Sequence, residues 1–153
     1  MELNLFDSPC SSVTETNNIL FRPKFKLSEF FVGLNDLERY DIVSQRSVLT
    51  NLFSLVQIMS LIRDHANMPI TITSGWRSHA HNSRVGGVRN SQHLTGSACD
   101  FKTYAPDRIH QIVPWIRKNI EFGQLIHYDN FLHISLPNGD KVNQYIDKRT
   151  LIK

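Results

Sequence analysis

Between Ser44 and Asn67, Leu49, Leu52, Phe53, Val56 and Met59 recur at three- and four-residue steps. That spacing lays them along one stripe of a helix and predicts an amphipathic element whose apolar face meets a core. Pro69-Ile-Thr-Ile-Thr73 alternates apolar and polar residues and predicts a half-buried strand, closed by Ser74-Gly75. A short helix over His79–Val85 follows, capped by Ser78 and stopped in left-handed geometry at Gly86-Gly87. Ser97–Lys102 predicts a second strand. Ala105–Asn119 predicts a helix that Pro114 must kink or split. Gln124–Tyr128 and Phe131–Leu136 predict two more strands about the turn residues Asp129-Asn130. A two-residue turn there pairs 128 with 131, 126 with 133 and 124 with 135. Gln124, Ile126 and Tyr128 then share a face with His133, and His127 points to the other. Upstream, Phe25–Phe31 predicts a short helix capped by Ser28, and polar residues 1–23 read as a loosely ordered arm before a single domain at 24–153. Long helices that precede and separate clustered strands make the fold class α+β.

The bulk properties narrow the picture modestly. The chain of 153 residues has 41% hydrophobic and 20% charged residues, an ordinary globular composition. A net charge of +3 would ease approach to an anionic polymer such as nucleic acid or bacterial wall. No basic stripe or recognised motif supports nucleic-acid binding. Cys10 and Cys99 have no CxxC spacing, so neither a disulfide framework nor a thiolate metal site is indicated, and Cys99 reads as a small buried residue. No stretch nears the roughly 20 apolar residues of a membrane span. The N-terminus lacks a basic region before an apolar core, so no signal peptide is expected and synthesis in a cytoplasm is.

The chemistry concentrates in Ser91-Gln-His93-Leu-Thr-Gly96-Ser-Ala-Cys-Asp100 and Phe131-Leu-His133-Ile-Ser135. Gly96 permits a sharp turn between a loop-borne His93 and a strand-borne Asp100. Along the second strand Ala98, Asp100 and Lys102 share one face, with Cys99 and Phe101 on the other. Leu132, Ile134 and Leu136 face a core, so His133 projects away from it. Two imidazoles and a carboxylate suit zinc, with a fourth position for water. With seven histidines in the chain, the residues alone leave two readings open: a zinc triad, or histidines satisfied at the surface or in the core.

The motif Ser91-x-His93-x-x-Gly96-x-Ala98-x-Asp100 with a late His133 resembles the M15 family of zinc D-Ala-D-Ala carboxypeptidases and peptidoglycan peptidases. Phe25-Lys-Leu-Ser-Glu-Phe30, Thr73-Ser-Gly-Trp-Arg-Ser78, Asn82 with Val85-Gly-Gly87, and Phe122-Gly-Gln-Leu-Ile126 are similar, in order, to blocks of its compact bacterial and phage form. The likeness spans roughly residues 24–136. It implies the hedgehog/D-Ala-D-Ala peptidase fold, a small sandwich of helices on a mainly antiparallel sheet. It also implies Zn2+ held by His93, Asp100 and His133.

The resemblance further implies that Arg77 lies beside the metal, where a guanidinium can stabilise an oxyanion. Ser91 matches a motif serine that orients the loop or the substrate. The family's Glu or Asp general base, three residues before the last histidine, is replaced by Asn130, and an amide accepts no proton at neutral pH. Asp129 is the adjacent candidate base, with Glu121 a second, although aspartate also favours turns on backbone grounds alone. Gln124 and Tyr128 are candidate substrate-binding groups on the His133 face. His65, His79, His81 and His110 read as solvated or helix-surface residues. The expected function is a zinc peptidase of peptidoglycan, a D-Ala-D-Ala carboxypeptidase or a stem or cross-bridge endopeptidase, phage-encoded or bacterial, and lytic or wall-remodelling. The alternative is a zinc-containing wall-binding or virion protein that has lost its base.

Overall fold

The computed structural model describes residues 22–150, so Cys10 and nearly all of the expected N-terminal arm lie outside the described residues. Among the described residues are four α-helices and a five-stranded sheet: α1 Asp36–Asp41, α2 Arg46–Ala66, β1 Ile70–Ser74, α3 His79–Arg84, β2 Ala98–Thr103, α4 Ile109–Asn119, β3 Gln124–His127, β4 Leu132–Ser135 and β5 Gln144–Asp147. The sheet order is β1-β2-β4-β3-β5. All neighbours are antiparallel except the β3–β5 pair. The α+β class expected from the sequence is the class found.

The core lies between one face of this sheet and the helices α2 and α4. Leu52, Leu55, Met59 and Ile62 of α2 and Ile109, Ile112 and Ile116 of α4 bury against Ile70, Ile72, Phe101, Leu125, Leu132 and Ile134. Phe53 is 38% exposed, contrary to expectation, because the buried stripe centres on Leu52, Leu55 and Met59 and leaves Phe53 on its flank. The helix ends with Asn67 in the left-handed region (φ 47°). No helix among the described residues is long and apolar enough to cross a membrane.

Several local expectations change. Ser28 lies inside a 3-10 turn, Leu27–Phe30, and the backbone N–H of Lys26 is instead satisfied by Glu29. Pro114 does not split α4, although it removes one donor from the ladder; the helical run breaks at Arg108, where a 3-10 turn hands over to α4. Gly86 has φ 70° and ends α3 as expected, whereas Gly87 does not adopt a positive φ. His110 is exposed, but its Nδ1 pairs at 2.8 Å with Nε2 of the buried His127. Two elements had no counterpart in the sequence reading: α1, opened by the reciprocal bonds of Asn35 and Glu38, and the parallel edge strand β5.

The opposite sheet face carries the chemistry. Asp100 of β2 and His133 of β4 are direct cross-strand partners. The predicted hairpin register holds, with Ile126 opposite His133 and Tyr128 N–H donating to the Phe131 carbonyl at 3.0 Å. At the end of β1 an irregularity between Ile72 and Ser74 leaves Thr73 as an extra residue and sets Ser74 opposite Asp100. Simple alternation would send Ser74 to the core; this bulge re-aims it to the face of Asp100.

Candidate metal centre

Three elements converge on this face. His93 stands on a 3-10 turn, Gln92–Thr95, opened by Ser91, whose hydroxyl accepts from the His93 N–H at 3.3 Å. Gly96 ends the turn in left-handed geometry (φ 67°) and returns the chain into β2. A Cβ on Gly96 would lie 2.9 Å from both Val48 Cγ1 and the Val48 carbonyl oxygen, so this turn packs against the start of α2 only as glycine. His93 Nδ1 donates to the Gly75 carbonyl at 2.7 Å. That bond fixes the tautomer and directs Nε2 inward, a support metal-binding histidines commonly have.

His93 Nε2 lies 3.4 Å from Asp100 Oδ1, and His133 Nδ1 lies 2.7 Å from the same oxygen. One donor atom from each residue falls within 4.8 Å of the others, and among the described residues this is the sole such group of three or more His, Cys, Asp or Glu. All three side chains are largely buried. Two neutral nitrogens and one carboxylate are the donor set of open, water-bearing zinc sites. Ligands about 2.0–2.1 Å from a tetrahedral ion stand roughly 3.4 Å apart, the separation found between His93 and Asp100. The shorter His133–Asp100 contact is a hydrogen bond, and its proton must leave before Nδ1 can ligate. The residues fit a metal of this type.

Burial alone would raise the Asp100 carboxyl, but the hydrogen bond from His133 and the adjoining His93 outweigh it and hold the group well below the ordinary carboxylate range. Arg77 completes the cluster. Its Nη2 lies 3.4 Å from Asp100 Oδ2, and its Nε donates to Ser74 Oγ at 3.0 Å. Its backbone N–H donates to the His93 carbonyl at 3.1 Å.

The family scan matches residues 23–135, most of the chain, to the peptidase M15 family. This chain belongs to that family. A comparison with curated proteins finds no significant match. M15 membership makes the chain a peptidase of that family, and the matched segment contains His93, Asp100, His133 and Arg77.

The remaining candidate residues of this M15 chain lie along the β3–β4 hairpin and make contacts of their own. Gln124 shares its face by strand alternation and donates to Gln144 Oε1 at 3.1 Å. Tyr128 stacks on Phe131, with ring centroids 4.3 Å apart. Asp129 is exposed at the hairpin turn, and both its oxygens are engaged by Thr150, from the backbone N–H at 2.7 Å and the hydroxyl at 2.8 Å. Among the described residues no acidic group besides Asp100 ion-pairs with His93, His133 or Arg77. Two participants escaped the sequence reading: Ser74, turned by the bulge onto the face of Asp100, and the Gly75 carbonyl. The sequence Thr73-Ser74-Gly75 carries no signal for either, since a bulge leaves the residue types unchanged.

Proposed function

We propose that this M15 chain is a zinc peptidase that hydrolyses a peptide bond in the stem or cross-bridge of peptidoglycan, in phage lysis or wall remodelling. The observation that carries the proposal is the meeting of His93 Nε2, Asp100 Oδ1 and His133 Nδ1 on one sheet face. These three residues would hold the ion. When bound, zinc acidifies a water and polarises the scissile carbonyl.

The chain's own residues supply the rest. Arg77, tethered by Ser74 and beside Asp100, takes the negative charge that develops on the carbonyl oxygen. Ser91 fixes the backbone of the His93 turn and so the direction of that imidazole. Gln124 on β3 and Tyr128 just past its end bind the substrate peptide. Asp129 carries the proton from the attacking water to the leaving amine, which requires at least one oxygen to exchange its Thr150 partner for solvent. Incubating the zinc-loaded protein with purified sacculi and following new peptide termini by mass spectrometry tests this. The parent should release them, His93→Ala should not, and Asp129→Ala should be slowed at least about 100-fold. Full activity in Asp129→Ala removes Asp129 from the mechanism.

A second reading is favoured by Asn130 and by the engagement of Asp129 with Thr150. In it the protein is a wall-binding or virion component that retains zinc and has lost its base. Sedimentation with sacculi, without release of termini, would support that reading over the first.

A further inference from the structure

Strand register arranges the cluster face in cross-strand rows. One row runs Asp100, His133, Ile126, Ile146 across β2, β4, β3 and β5. Two residues along, Phe131 and Tyr128 form the last pair before the hairpin turn, and Lys148 follows β5, its N–H donating to the His127 carbonyl at 2.8 Å. The Phe131 and Tyr128 rings stack at 4.3 Å with 10° between their planes. Lys148 Nζ lies 5.7 Å from the Tyr128 ring centroid. Ile126, Tyr128, Phe131 and Ile146 are all half-buried, and none belongs to the hydrophobic core on the opposite face. Four apolar side chains thus line a shelf that runs from Phe131, two residues before His133, across β3 to β5. Contiguous apolar surface rimmed by polar groups marks a binding site.

The shelf's chemistry restricts what it takes. Phe131 covers Tyr128 from the β4 side and Lys148 covers it from the β5 side. The Tyr128 ring therefore presents its edge, which disfavours stacking of a sugar and suits the aliphatic side chains of a peptide. Lys148 adds an ammonium for a carboxylate. With strands about 4.8 Å apart, Ile146 stands roughly 10 Å from His133, the span of about three extended residues at ~3.3 Å each.

We infer that this shelf is an extended subsite for an acidic, aliphatic peptide. The substrate crosses β3 and β5 for about three residues on one side of the scissile bond, with a carboxylate beside Lys148. The inference rests on the peptidoglycan-peptidase reading and adds substrate length and charge to it. The test compares kcat/KM of the zinc-loaded protein on a stem pentapeptide and on a dipeptide spanning the cleaved bond. The pentapeptide should be favoured by at least about tenfold. Lys148→Glu should cut pentapeptide efficiency by about five- to tenfold and collapse that preference. Lys118→Glu, exposed at the end of α4 behind the other face, should not. Equal efficiency on the two substrates, or an undiminished preference in Lys148→Glu, overturns the inference. A second measurement is independent of turnover. Amide shifts of the zinc-loaded protein on adding pentapeptide should centre on residues 146–148 and weaken in Lys148→Glu, whereas a wall disaccharide should produce none there. If that pattern appears without hydrolysis, the subsite stands and the peptidase reading fails. If residues 146–148 do not respond to pentapeptide, or respond to the disaccharide instead, the subsite fails.

Discussion

Replacing Gly75 by alanine probes the link between fold and metal centre at one atom. A Cβ at this position would lie 2.1 Å from the Phe30 carbonyl oxygen and 2.7 Å from both the Phe30 carbonyl carbon and Cα. Non-bonded carbons rest at about 3.5–4.0 Å, so the overlap approaches 1 Å and falls on backbone, which no side-chain rotation relieves. Either the Leu27–Phe30 turn or the Gly75 peptide must move. Moving the first strains the Trp76 N–H bond to the Phe30 carbonyl (3.0 Å); moving the second strains the His93 bond to the Gly75 carbonyl (2.7 Å). Overpacking costs about 1–3 kcal/mol, and a lost hydrogen bond about 1 kcal/mol more. At ~2–4 °C per kcal/mol for a chain of this size, a total near 3 kcal/mol lowers Tm by roughly 6–12 °C. Loosening the His93 support should also weaken zinc binding by about 10–100-fold. Thermal unfolding by circular dichroism and competition against a chromophoric chelator measure the two effects. A Gly75→Ala protein with Tm within about 2 °C of the parent and unaltered zinc affinity would refute the reasoning.

Three further outcomes follow from the same contacts. Arg77→Gln should lower kcat by about 100- to 1000-fold with little change in KM and with bound zinc retained; a rise in KM alone would make Arg77 a binding group only. Glu38 accepts hydrogen bonds from Ser78, Asn35 and Arg84, and these push its carboxyl down from 4.5 to about 2. Because its folded value lies below its unfolded value, its stabilisation is complete above about pH 4.5 and fades as pH falls through 2; Glu38→Gln should flatten the loss of stability over that window, and parallel curves for the two proteins would contradict it. Leu52→Ala, at a fully buried site on α2, should cost about 2–5 kcal/mol in denaturant unfolding, and a loss below 1 kcal/mol would show that the α2 face is not the packed core described.

The parts legible in the sequence were those governed by local rules. The three- and four-residue spacing announced α2, and Ser78 announced the start of α3, where its hydroxyl accepts from the His81 N–H. The two-residue turn at Asp129-Asn130 fixed the β3–β4 register and hence the face that His133 occupies. The parts not legible depend on distant partners. β5 is four residues long and pairs in parallel with β3, so nothing beside it in the chain marks it as a strand. The bulge that turns Ser74 toward Arg77 is set by pairing with β2, and His93 acquires its orientation from a glycine carbonyl, which has no side-chain signature. The Asn35-x-x-Glu38 box was present to be read as the start of α1, but that helix is short and largely exposed, with no apolar stripe to draw attention to it. For His110, helix position predicted solvent, and exposure did not preclude a bond to His127 across the packing of α4 on the sheet.

Elemental analysis of the purified protein, beside its His93→Ala, Asp100→Ala and His133→Ala variants, addresses the central claim most directly. One zinc per chain in the parent, lost from all three variants while circular dichroism shows each still folded, is the predicted result. A parent that binds no zinc after dialysis against it, or variants that keep the full amount, would mean these three side chains do not form a metal site.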